Sequence, residues 1–238
     1  MSFIDVDPIS VPHKFSRVQD IEISAFFSAI LAWGNRKTIV NKCNELMAYF
    51  DNDPYDFLLN HSDSDRKAIM HFKHRTFQGD DLEYFMRRLQ RYYKNHATLE
   101  TAFKPKNSTI YKQKEALIRF YNLFFDGDDL LPRTRKHIAT PIKNSTCKRL
   151  NMFLRWMVRK DDCGVDFGIW KTIPPSELMI PLDIHVENVS RQLGLLTRKS
   201  LDWHAVEEIT THLRKFNPDD PIRYDYALFG IGIGLYKF

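Results

Sequence analysis

A lysine and an aspartate, Lys148 and Asp183, carry the sharpest chemistry in this sequence, and each stands where a helix is expected to begin. Lys148 follows Ser145 and Thr146, either of which is a candidate N-cap for a helix to about Lys160, after a turn made by Pro141 and Lys143-Asn144. In the first turn of that helix, the positive end of the helix dipole and the neighbouring Arg149 both disfavour an ammonium. That setting primes a lysine as a neutral amine nucleophile. Asp183 lies in the run Pro181-Leu182-Asp183-Ile184-His185-Val186 and is a natural N-cap for a helix with apolar positions Val186, Val189 and Leu193, closed by Gly194. A carboxylate that accepts backbone N–H groups is fixed in orientation and stays ionised, as a group beside a developing cation must. The cap also explains Asp183 without any catalysis.

Charge is concentrated around Lys148. From Arg133 to Lys160 there are nine Lys or Arg and no Asp or Glu, against a net charge of +5 for all 238 residues, so the remainder is mildly acidic. Such a run is the footprint of a surface that meets a polyanion, nucleic acid first; a solvated basic face is the plainer alternative. On a helical projection Leu150, Phe153, Leu154 and Met157 fall on one side, while Lys148, Arg155 and Arg159 align on the other. The basic stripe is therefore expected to look away from the core.

The elements that must position these residues read as helices. Ile23, Phe26, Phe27, Ile30 and Leu31 recur at helical spacing over Ile21 to Trp33, with Asp20 as a candidate cap, and the break Gly34-Asn35-Arg36-Lys37 leads to a second helix over Thr38 to Phe50. Asn52-Asp53-Pro54 starts a short helix through Leu59, and Asp63 another through Ile69. The segments Asp80 to Tyr93 and Ile110 to Phe125 are clearly amphipathic. Alternating apolar and polar runs are scarce, which predicts an all-α class. Trp33, Trp156, Trp170 and Trp203 read as core or packing residues, and Gly230-Ile231-Gly232-Ile233-Gly234 as a C-terminal cap or turn.

Composition sets the outer bounds. With 43% hydrophobic and 13% aromatic residues, the chain is expected to fold around one substantial core or two small ones. No apolar run reaches the roughly 18 residues needed to span a bilayer, and the start has neither a basic leader nor an apolar signal core, so a cytoplasmic protein is expected. The three cysteines, Cys43, Cys147 and Cys163, lack the paired spacing of zinc or iron-sulfur sites. His71 and His74 have no third ligand in sequence, and neither a metal nor another cofactor is expected.

A lysine near the start of a basic helix, then an aspartate opening a helix that reads P-L-D-I-H-V, resembles the helix-hairpin-helix DNA glycosylase superfamily. Phe153-Leu154-Arg155 after Lys148 is similar to its 8-oxoguanine branch, and Pro181 to Val186, Arg191 and Leu193-Gly194 match the stretch around the superfamily's aspartate. Three features depart from the pattern. Asn144 to Cys147 stand where a hairpin G-x-G is usual, the Lys-to-Asp separation is longer than in ordinary members and closer to the archaeal 8-oxoguanine enzymes, and the iron-sulfur cysteines are absent. At closer range, CKRLNMFLRWMVR, PLDIHV, Ala32-Trp33-Gly34-Asn35-Arg36 and the NPDDPIRYDYALF tail resemble an uncharacterised bacterial family within that superfamily.

The resemblance implies two helical lobes with a cleft between them, a central domain over 21–160 and a second domain formed by 1–20 and 161–238. It implies a monomeric DNA glycosylase with AP lyase activity, acting on a flipped damaged base in double-stranded DNA through Lys148 as nucleophile and Asp183 as its carboxylate partner. Arg155, Arg159, His185, Lys143 and Arg149 are then candidate phosphate contacts, and Asn35 with Arg36 a loop that fills the gap left by the base. A helix-ending Gly-Asn turn explains Asn35 equally well. The alternatives are a non-catalytic nucleic-acid-binding protein that kept the fold, and an interaction protein whose basic helix meets an acidic partner.

Overall fold

In the computed structural model, residues 3–105, 110–127 and 131–235 are described. The described residues are mostly helical, and their one sheet is a two-stranded hairpin, so the class is all-α. The chain divides into two compact units, Met1–Ala102 with Asn122–Ile138, and Phe103–Tyr121 with Ala139–Phe238.

The first unit holds α1 (Phe3–Val6), α2 (Val18–Leu31), α3 (Arg36–Tyr49), α4 (Pro54–Asn60), α5 (Asp63–Ile69), the hairpin β1 (Lys73–His74) and β2 (Phe77–Gln78), and α6 (Gly79–Tyr93). The central helix is α2, buried almost all round, with Phe26 and Phe27 against the rings of Phe85, Phe50 and Phe124. A helix with no solvent face must satisfy its polar side chains internally. Glu22 does so by accepting from Tyr93 Oη at 2.8 Å, from the Leu99 N–H at 3.0 Å and from the Thr98 hydroxyl. Asp20 is not the cap of this helix. It lies inside the first turn, behind Arg17, and its carboxylate accepts the Tyr55 N–H of α4 at 2.9 Å, tying two helices together.

The chain passes between the units within α7 (Glu100–Phe103), within α8 (Gln113–Phe124) and a third time after Ile138. The second unit adds α9 (Lys148–Val158), α10 (Ile184–Gln192), α11 (Trp203–Phe216) and α12 (Asp225–Gly232), with 3-10 turns at Pro141–Lys143 and Pro221–Tyr224. Its apolar centre includes Phe103, Phe120, Phe153 and Trp170, whose rings meet at 4.3–6.0 Å. Trp156 and Trp203 are buried as well. In this division α9 lies with 161–238, and its polar side chains bond to partners in the last third of the chain. The helices α7, α11 and α12 and the hairpin add to those read from periodicity.

The glycine string near the C-terminus ends α12. Gly234, at φ +78°, lets the Leu235 N–H reach back to the Gly230 carbonyl at 2.9 Å, a left-handed helix stop. Gly232 serves packing instead. A Cβ there would stand 2.8 Å from the Cβ and the carbonyl oxygen of His185, so the absence of a side chain lets α12 lie directly on α10.

Candidate active site

Lys148 and Asp183 come together in the second unit. The Lys148 Nζ lies 3.5 Å from Asp183 Oδ2, with the lysine side chain 34% exposed and the aspartate 16%. The carboxylate divides its two oxygens. Oδ1 accepts the N–H groups of His185 at 3.0 Å and Val186 at 2.9 Å, which caps α10, while Oδ2 faces the amine. The cap and the chemical reading of Asp183 are thus compatible in one rotamer.

The turn before Lys148 differs from the expected cap. Neither Ser145 nor Thr146 caps α9; Cys147 holds the N-cap position without a capping side chain, and Ser145 Oγ accepts the Cys147 N–H at 3.2 Å. Lys148 is consequently the first residue of the helix. Asn144 and Cys147 both adopt left-handed backbone, φ +54° and +53°, in the stretch where a G-x-G would supply that conformation with glycine. Asparagine tolerates it by hydrogen bonding locally, and cysteine is held there by burial. Burial pushes the Cys147 thiol up to about 12, against the pull of the Ser145 hydrogen bond and of Arg149, so it stays protonated beside the lysine. Burial likewise brings the Arg149 guanidinium down to about 10.

A buried polar knot fixes the two halves of the pair, and sequence periodicity gave no sign of it. Gln113 of α8 donates to Asn151 Oδ1 at 2.8 Å and accepts the Met179 N–H at 3.2 Å. Asn151 Nδ2 in turn donates to the Thr146 carbonyl at 3.1 Å and the Ile180 carbonyl at 3.3 Å, and the Thr210 hydroxyl accepts the Ile180 N–H. The residue two before Lys148 and the extended segment leading to Asp183 are therefore tied to the same pair of amides. Fully buried amides with all these bonds made specify one geometry.

The arginine stripe is a correction. Arg155 is 1% exposed and is no phosphate contact. Its Nε donates to Asp166 Oδ2 at 3.1 Å, its Nη1 to Asp225, and its guanidinium lies 3.6 Å from the Tyr226 ring centre. Arg159 is the C-cap of α9 and is likewise engaged, with both oxygens of Asp220 at 3.2 and 2.9 Å and with Asp166 at 2.9 Å. The cause is that α9 is buried on nearly every side, so its polar face meets the acid-rich tail rather than water. The complementarity of a run without acids and a tail with Asp219, Asp220 and Asp225 was the signal available in the sequence. Burial opposes the charge on Arg155, but Asp225 and Asp166 hold it above the ordinary arginine value. Burial raises the Asp225 carboxyl, Arg155 offsets this in part, and Asp183 adds to the rise, which puts the network within electrostatic reach of the pair.

The remaining candidates are spread out. Lys143 is exposed in the turn before α9, its Nζ 5.6 Å from the Tyr121 ring centre. His185 is half-buried, with Nδ1 3.1 Å from the Gly232 carbonyl and its ring edge-on to Phe229. Asn35 and Arg36 lie in the first unit. Asn35 caps α3 by accepting the Thr38 N–H at 3.2 Å, so the Gly-Asn turn accounts for it. Among the described residues no cluster of three His, Cys, Asp or Glu forms a metal-ligand set, and no helix is long and apolar enough to cross a membrane. Chemically, the pair offers an amine and a carboxylate oxygen in line for proton exchange.

No curated protein and no solved structure matches the chain. A family model does match it, over residues 7–234, and the chain belongs to that family, described as protein of unknown function (DUF2400).

Proposed function

We propose that the protein is a DNA glycosylase with AP lyase activity that excises a damaged base through Lys148 and Asp183. The observation that carries the reading is the 3.5 Å approach of Lys148 Nζ to the one Asp183 oxygen not used in capping α10. In this mechanism Asp183 Oδ2 takes a proton from Lys148, and the freed amine attacks C1′ of the nucleotide as the bond to the base nitrogen breaks. The base leaves with the bonding electron pair and is protonated. Opening of the sugar ring and loss of the second amine proton give a Schiff base, from which β-elimination cleaves the 3′ carbon–oxygen bond. The proton the base takes is the one Asp183 received, so the carboxylate is ionised again and offsets the positive charge on the sugar.

Such a reaction needs the nucleotide turned out of the duplex and its backbone held. Arg149, His185 and the exposed Lys143 are the candidate contacts nearest to the pair in sequence. Arg155 and Arg159 are excluded from that task by their carboxylate partners and support the site from behind.

Borohydride trapping tests the reading on duplexes carrying 8-oxoguanine, uracil, thymine glycol or an abasic site. Wild type is expected to form a covalent adduct with at least one of them, and Lys148→Gln none. No adduct with any substrate, or an equal yield from Lys148→Gln, removes the catalytic assignment. DNA binding without an adduct would identify instead a nucleic-acid-binding protein without this chemistry.

A further inference from the structure

Two further stretches contain no acid. Residues 32–44 include Arg36, Lys37 and Lys42, residues 66–79 include Arg66, Lys67, Lys73 and Arg75, and neither has an Asp or Glu. In the first unit the hairpin of the second stretch is laid against the turn of the first. The Arg75 guanidinium lies 4.9 Å from the Trp33 ring centre, the His74 ring meets the same indole edge-on at 5.8 Å, and His74 Nε2 is 3.3 Å from the Trp33 carbonyl oxygen. Lys42 Nζ sits 5.5 Å from the Phe72 ring centre, on the same hairpin. Phe72, His74 and Phe77 are buried, so the hairpin is anchored rather than free to swing.

The local geometry is adapted to hold Arg75 where it is. Arg75 takes a left-handed backbone, φ +54°, an uncommon conformation for a long side chain. Gly34, at φ +107°, lies beneath it; a Cβ there would stand 2.7 Å from an Arg75 guanidinium nitrogen. A guanidinium held over an indole by cation–π attraction still has N–H groups free to bind a phosphate in a fork.

In the 133–160 run Arg133, Arg155 and Arg159 are paired with aspartates while Lys136, Lys143 and Lys160 stay exposed; on this second face the exposed cations stand without such neighbours among the described residues. Lys37, Lys73 and Arg75 are exposed and have no carboxylate partner among the described residues, whereas Lys42 pairs with Glu45 and Arg66 with Asp63 and Glu83. The first turn of α3 contains no acid and begins with Arg36 and Lys37, so two cations sit at the positive end of a helix dipole. The dipole disfavours a cation there, and Lys37 has no carboxylate partner among the described residues to offset it. The same positive potential reaches His74, whose imidazole is held below its ordinary value by burial, and further by Arg75 and Lys42, against the Trp33 carbonyl.

We infer that the face formed by Lys37, Lys73 and Arg75 around Trp33 binds the phosphate backbone of duplex DNA. The inference rests on the nucleic-acid part of the proposed function and not on the Lys148 chemistry. It adds to what is left of the 133–160 run, where partners within the chain neutralise Arg133, Arg155 and Arg159, a second surface where the cations remain open.

The test is fluorescence anisotropy with an undamaged, labelled duplex of about 20 base pairs, titrated with the full chain over a range of salt. The triple variant Lys37→Ala/Lys73→Ala/Arg75→Ala is expected to bind at least tenfold more weakly, and to lower the slope of log affinity against log salt by nearly three, about 0.9 per lost phosphate contact. Lys37→Glu and Lys73→Glu alone are each expected to weaken binding severalfold. A control that removes equal charge elsewhere, Lys136→Ala/Lys160→Ala/Lys199→Ala, is expected to bind like wild type. The inference is overturned if wild type does not bind the duplex at low salt, if the Lys37/Lys73/Arg75 variant keeps wild-type affinity and slope, or if the control loses as much. Wild type that binds but never yields a trapped adduct overturns the chemistry and leaves this surface standing; a triple variant that binds normally does the reverse.

Discussion

At the residue scale, the informative group is Asp183, because one carboxylate serves both the backbone and the candidate nucleophile. Substitution separates the two roles. Asp183→Asn retains an oxygen to cap α10 and removes the charge facing Lys148, so thermal unfolding is expected within about 0.5 kcal/mol of wild type while adduct formation falls steeply. Asp183→Ala is expected to lose about 1 kcal/mol as well, the ordinary value of an N-cap. Equal stability losses in both variants would show that the charge, not the cap, holds the helix. Asp183 as a helix-opening cap was legible from capping chemistry, whereas Lys148 opens its helix behind Cys147, which caps with no side chain, and the pairing of the two followed from the resemblance. The supports of the pair were not legible. Gln113 and Asn151 have no spacing that marks them, and Arg155 sits on the polar side of its helix projection yet is buried by partners far along the chain.

Elements are positioned by a few buried polar contacts between them. Asp81 is the clearest case: fully buried at the start of α6, it accepts the Gln78 N–H at 3.0 Å, the Thr134 hydroxyl at 2.6 Å and Arg133 at 3.2 Å. Burial alone would raise its carboxyl, but hydrogen bonds from His137, Thr134 and Gln78 outweigh it and bring the value down to about 2. A folded value below the unfolded one means stability present above about pH 4 and lost as pH falls towards 2. The loss is expected to be about 2 kcal/mol, and Asp81→Asn should lack this part of the acid dependence in denaturant titrations at stepped pH. On the other unit, Gly232→Ala is expected to force α12 off α10 and destabilise by about 1–3 kcal/mol, as overpacking does. Since α10 begins at Asp183, the trapped adduct should fall with it; unchanged unfolding and trapping would refute this packing role. Periodicity located most helices to within a few residues, as with Asp63–Ile69 and Gly79–Tyr93. It failed at caps, where Asp20 and Ser145 serve neighbouring backbone instead, because capping type does not say which of several nearby N–H groups a side chain will meet.

Over the whole molecule, charge is allotted unevenly, and composition could not disclose how. The acid-free run from Arg133 to Lys160 reads as a surface, yet folding pairs three of its arginines with aspartates and buries Arg155 outright. Because the acids lie up to 70 residues away from Arg155, only the folded chain reveals the match. Removing Arg155 leaves Asp225 buried without its cation and Asp166 with Arg159 alone, and Arg155→Met is expected to destabilise by about 3–5 kcal/mol. Hydrogen exchange should show the lost protection over 139–235, with Asp81→Asn acting on the first unit instead; the same pattern from both variants would argue against the division into units. The burial of Cys43 and Cys147, set against the exposure of Cys163, also makes the chain selectively addressable. A maleimide dye should attach at Cys163 alone under native conditions, giving the second unit a single optical reporter without touching the lysine whose chemistry is to be followed.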